Sequence, residues 1–151
     1  MKRLALVIIT ATGCALAASI LGSGNAPVAR ARSSARTLNI TTKTVTLTAP
    51  STPPAAGDRF VFYETVSGGE TGRDYADCVV TNARGEALCH LVFVLKRGAI
   101  GIDAVANLND ATLHGTGPIL GGTGRYNGAR GTVVYSGPAE NTRFSFRFLS
   151  H

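Results

Sequence analysis

The sequence predicts an all-β domain, a sandwich or a barrel of seven or eight short strands. Three observations predict it. No stretch beyond residue 36 sustains a helical apolar period. Runs rich in Thr, Val, Ile and Phe recur between turns rich in Gly, Pro and Asn. In the last run Phe144, Phe146 and Phe148 alternate with Arg143, Ser145 and Arg147, a period of two with one apolar and one polar face.

The strands follow in order. Thr37–Thr48 is dense in Thr, Val, Ile and Leu, residues that suit a pleated surface. Ala49–Gly57 holds Pro50, Pro53 and Pro54 and reads as a loop. Arg59–Val66 is a second strand, with apolar residues on both of its faces, and Ser67–Gly72 is a turn. Tyr75–Thr81 and Glu86–Leu95 form a hairpin around Asn82-Ala83-Arg84-Gly85. If Cys78 faces Cys89, the turn is centred between Ala83 and Arg84, so turn chemistry and cysteine placement agree. A facing pair at a non-hydrogen-bonded position brings the Cβ atoms within disulfide reach. Ala99–Leu108 and Ala111–Leu120 follow, with Pro118 predicting an edge or a bulge. After the glycine-dense Gly121–Gly131 come Thr132–Ser136 and Thr142–Leu149.

Ahead of the strands, Met1-Lys2-Arg3 opens an apolar run from Leu4 to about Leu21, followed by small residues. A basic start, an apolar middle and small residues after it predict a secretory signal peptide; a membrane anchor is the competing reading. Gly24-Asn25-Ala26 and Ala29-Arg30-Ala31 both offer a small-x-small cut site, and Ala11-Thr12-Gly13-Cys14 weakly resembles a lipobox that would leave Cys14 lipidated. The layout expected is a signal peptide and cleavage region at 1–31, a flexible arm at 32–36 and one β domain at 37–151. The expected location is secreted or extracytoplasmic, with no stable membrane span after cleavage. The even pair Cys78 and Cys89 then predicts a disulfide, as an oxidising compartment allows.

The 151 residues carry 15 Lys+Arg against 9 Asp+Glu, a net +6. Residues 1–29 contain Lys2, Arg3 and no acid, so without them the balance is 13 against 9, or +4. Apart from Arg30, Arg32 and Arg36 the positive residues are scattered, which speaks against a nucleic-acid stripe. No nucleic-acid partner is expected. Gly121-Gly122-Thr123-Gly124 lacks the Lys-Ser/Thr of a phosphate loop, and no helix is predicted after it. His90, His114 and His151 share no ligand spacing, so no metal is expected. In the register set by the cysteines Asp77 faces His90, either an acid–base pair or a surface ion pair. Glu64, Asp74 and Asp103 are the other in-strand carboxylates; solvent is the default position for each, because burial is costly.

Several segments resemble the dirigent and allene oxide cyclase superfamily. They are Gly57-Asp58-Arg59-Phe60-Val61-Phe62, Gly72–Val79, Ile100–Asp103, the glycine signature Leu120–Gly131 and the aromatic strand Phe144–Leu149. The resemblance covers about residues 57–149. It implies an eight-stranded antiparallel barrel, a homotrimer or homodimer, with an apolar pocket in its mouth. It also implies stereocontrolled chemistry without a cofactor, by orientation and exclusion of water. Thr37–Thr48 lacks the first-strand glutamate of allene oxide cyclases. Glu64 and Asp74 stand nearest the pocket aspartates of dirigent proteins. The pocket expected on this basis contains Tyr63, Glu64, Asp74, Asp77, His90 and Tyr126. Glu64, Asp77 and His90 are its catalytic candidates, and Tyr63, Asp74 and Tyr126 contact the ligand. Glu64 is the acid–base group or cation stabiliser. The function expected is a secreted cyclase or dirigent-like protein, an isomerase-type activity on an apolar reactive molecule. The alternative is a non-catalytic ligand-binding barrel, a carrier or cell-envelope protein.

Overall fold

The computed structural model describes residues 36–49 and 53–149. The expected signal peptide and cleavage region, Cys14 and the expected arm up to residue 35 lie outside the described residues. The strands are β1 Arg36–Thr48, β2 Arg59–Gly68, β3 Gly72–Val80, β4 Glu86–Leu95, β5 Gly98–Asn107, β6 Leu113–Gly122, β7 Gly131–Gly137 and β8 Arg143–Phe148. Each pairs antiparallel with the next, and β8 returns to β1. The sheet is a closed eight-stranded barrel, which leaves no unpaired edge. β1 begins at Arg36, inside the stretch expected to be arm.

Side chains alternate between wall faces as the pleat demands. In β2, Phe60, Phe62, Glu64 and Val66 are buried inside. In β4, Ala87, Cys89, Leu91, Phe93 and Leu95 are. Phe93 is fully buried and meets Phe144 and Phe146 edge-on, with ring centroids 5.1 and 5.2 Å away. Such pairs add to the burial of the rings themselves. The hairpin register is the one the cysteines predict: Cys78 faces Cys89 and Asp77 faces His90. The two sulfurs are bonded across a sequence separation of 11.

Two bulges shape the wall. In β1 the pairing passes from Thr44↔Glu64 to Thr46↔Tyr63, so Val45 is the extra residue. Between β5 and β6 it passes from Gly101↔Gly121 to Ile102↔Ile119, leaving Leu120 over. The feature predicted at Pro118 is therefore a bulge two residues on, not an edge, since Pro118 pairs with Thr132 of β7. On β6, Gly115 faces Tyr135 of β7. A side chain at Gly115 would collide with the Tyr135 phenol, whose hydroxyl donates to the Val105 carbonyl of β5. The ring thus pins β5 to β7 beneath the residue that lacks a side chain.

The up-and-down order gathers alternate turns at opposite ends. The β1–β2, β3–β4, β5–β6 and β7–β8 connections form the mouth, and the other three form the base. The glycine-rich segment belongs to the base. Gly124 (φ +58°) lies against the β4–β5 turn, where a Cβ would come within 2.6 Å of the Arg97 carbonyl oxygen. The Arg125 amide donates to that oxygen at 2.8 Å. Only a three-residue turn of 3-10 helix, Gly124–Tyr126, follows the glycines.

Candidate active site

One register row crosses four strands: Thr44, Glu64, Asp74 and Phe93. The β1 bulge and the pleat turn all three polar members inward. Glu64 and Asp74 are buried, Asp74 completely. Thr44 Oγ1 lies 2.7 Å from Glu64 Oε1 and 3.1 Å from the Ala139 carbonyl oxygen. With Glu64 ionised, the hydroxyl donates to it. With Glu64 protonated, the acid donates to Oγ1, which turns its own proton to Ala139. One hydroxyl serves both states.

Asp74 differs. No hydrogen bond of ordinary geometry reaches either of its carboxyl oxygens among the described residues, although the Glu64 carboxyl and the Tyr75 amide act on it at close range. Burial pushes this carboxyl well above the ordinary carboxylate range, and the charge of neighbouring Glu64 pushes the same way. Asp74 therefore holds its proton to higher pH than an ordinary aspartate does.

Glu64 opens onto a cavity on the mouth side, lined also by Phe62, Ala76, Leu91, Ala104, Tyr135 and Phe144 and by the Cys78–Cys89 disulfide. The cavity proper is about 50 Å³, within open space of about 470 Å³ that includes solvent at the mouth. Its lining is almost wholly apolar, with Glu64 and Thr142 the exceptions. Burial at the inner wall raises the Tyr135 phenol.

The other expected pocket residues are elsewhere. Asp77 and His90 face each other, but on the outer wall, because their neighbours Cys78 and Cys89 point inward. They do not pair. Arg59 holds Asp77 through two hydrogen bonds of 2.7 and 2.6 Å, and His90 Nδ1 lies 2.8 Å from Asp103. The hydrogen bond and charge of Arg59 hold the Asp77 carboxyl below its ordinary value. Tyr63 is next to inward Glu64 and so points out, packed on Tyr75 at 5.3 Å between ring centroids. Tyr126 is buried at the base, where its hydroxyl donates to Glu70 at 2.9 Å. Burial and the Glu70 contact push its phenol up to about 12. Thr44 and Tyr135 are wall residues that sequence reasoning passed over; their alternation within β1 and β7 is the signal that marks their face.

The solved structures to which the chain is similar include two barrels. One is a pyocyanin demethylase, 24% identical, with a TM-score of 0.65, covering 75% of this chain and 99% of that one. The other is an exo-specific intermolecular Diels-Alderase, 14% identical, with a TM-score of 0.59, covering 76% of this chain and 98% of that one. The fold is that of a small closed barrel, of the same general kind as these two. No protein-family model matches the chain, and no curated protein matches it.

Proposed function

We infer that this protein is a secreted, cofactor-independent barrel of the dirigent and allene oxide cyclase type. In this reading it holds an apolar, reactive small molecule at its mouth and directs a stereoselective cyclisation or coupling. The observation that carries the reading is the Glu64–Asp74 carboxyl pair. A buried carboxyl without a hydrogen bond of ordinary geometry costs stability, about 1–3 kcal/mol for the polar group alone. Buried carboxyls set against each other are the arrangement used for acid–base work. Asp74 is the proton store, Glu64 is the group that meets the substrate, and Thr44 holds Glu64 in either state. The names of the two similar barrels, a demethylase and a Diels-Alderase, support chemistry on a compact organic substrate.

The cavity sets how the substrate sits. About 50 Å³ takes a water or two, whereas whole-ligand pockets run to about 300–1,000 Å³. The ligand therefore lies in the mouth with one edge inserted toward Glu64. Orientation by that edge and exclusion of water at the inserted part supply the stereocontrol.

The test begins with native mass spectrometry of exported protein to capture a bound compound, followed by turnover assays on it and its precursors. Glu64→Gln is expected to lower turnover by about 100-fold or more, as loss of an acid–base group does, with binding retained. Unchanged turnover in Glu64→Gln removes the residue from the chemistry. The almost wholly apolar lining favours a second reading, a carrier barrel. Its signature is tight binding of the captured compound with no conversion by the parent protein.

A further inference from the structure

A second site lies at the base, remote from the carboxyl pair. A groove of about 360 Å³ runs where the start of β1, the end of β8, the β4–β5 turn and the segment after β6 meet. Its volume falls within the range of small-molecule sites. Leu38, Tyr126 and Phe148 make an apolar floor, with the Tyr126 and Phe148 rings stacked at 5.9 Å. Arg36, Arg97 and Arg125 stand around it, and none of the described residues that line it is acidic.

Arg97 is the anchored member. Its Nε donates to Glu70, a carboxylate covered from solvent at the base, and the Arg97 side chain as a whole is nearly half exposed. Burial would raise the Glu70 carboxyl, but hydrogen bonds from Tyr126 and Arg97 and the charges of Arg97 and Lys96 outweigh it. Glu70 therefore stays ionised and fixes one edge of Arg97. The planar fork that remains suits an oxyanion. Counting Glu70 against Arg97 still leaves Arg36 and Arg125 as net positive charge around an apolar floor.

We propose that this groove binds a small amphipathic anion, a carboxylate or phosphate head on an apolar body, with the head among the three arginines and the body on Leu38, Tyr126 and Phe148. The site is independent of the mouth and of any reaction there.

The probes are decanoate, decanol and inorganic phosphate, titrated into the oxidised exported protein and followed by backbone amide NMR shifts. Decanoate is expected to shift amides around Arg97, Tyr126, Asn127 and Phe148, more strongly at low salt. Decanol and phosphate, each carrying one half of the ligand chemistry, are expected to bind more weakly. The surface double substitution Arg36→Gln with Arg125→Gln is expected to lower decanoate affinity by about tenfold. The amides of Ala76, Leu91 and Ala104, which line the mouth cavity, are expected to stay unshifted, which separates this site from the mouth. Three outcomes each overturn the proposal: shifts centred on Ala76, Leu91 and Ala104, equal binding of decanol, or full affinity in the double variant.

Discussion

A carboxyl with no hydrogen bond of ordinary geometry inside a hydrophobic wall is a liability that titration exposes. The native chain holds the Asp74 proton more tightly than the unfolded chain does. The stabilising contribution is fully present below the ordinary aspartate range, where both states are protonated. It is lost as pH rises through the raised native value, because the unfolded chain releases the proton first. Thermal melts from acid to mildly alkaline pH are expected to show this loss, and Asp74→Asn to flatten it and gain most at the alkaline end. An identical pH profile in the variant would place the proton elsewhere. His90 provides the contrast. Its contact with Asp103 is exposed on both sides, and such surface pairs are worth less than about 1 kcal/mol. His90→Ala is expected to leave the melting temperature nearly unchanged and turnover intact.

Strand by strand, the hairpin of β3 and β4 was the most legible part of the chain. The cysteine spacing and the turn residues name one register, and every pair in it forms. The same logic contained the correction to Asp77 and His90. A pleated strand cannot send residues i and i+1 to one face, so an inward disulfide puts both of them outside. Tyr63 beside Glu64 follows the same rule. The two bulges were not legible, because an extra residue leaves no mark on an alternating pattern until its partner strand is known. Reduction of the disulfide is expected to cost about 2–4 kcal/mol in urea unfolding, and intact mass to rise by two hydrogens. At the β5–β7 seam, Tyr135→Phe removes the hydroxyl that the Val105 carbonyl accepts, and is expected to cost about 1 kcal/mol.

For the molecule as a whole, closure of the sheet is what composition left open between sandwich and barrel. The ring closes through β1 and β8, strands from opposite ends of the domain, and periodicity carries no information about such distant pairing. The resemblance centred on Leu120–Gly131 pointed to the barrel for a reason the structure makes physical: Gly124 packs against the β4–β5 turn and seals the base. That also explains why Tyr126 lies far from the mouth. It follows an even-numbered strand, and the turns after even strands gather at the base. Phe93 ties the closure together through its contacts with β8. Phe93→Ala is expected to cost about 3–5 kcal/mol, read from the urea midpoint. A loss below 1 kcal/mol would mean that the aromatic cluster does not hold the ring shut.

The disulfide sits on the inner wall and lines the same cavity as Glu64. A thiolate reaching it through the cavity must come down the mouth, along the path of the proposed ligand. Its rate of reduction by a small thiol is therefore an occupancy gauge that needs no label and no knowledge of the reaction. Compounds seated against Glu64 protect the bond and slow its opening, while compounds held at the base leave the rate alone. A library screened for slowed thiol exchange would sort mouth ligands from all others before any substrate is known.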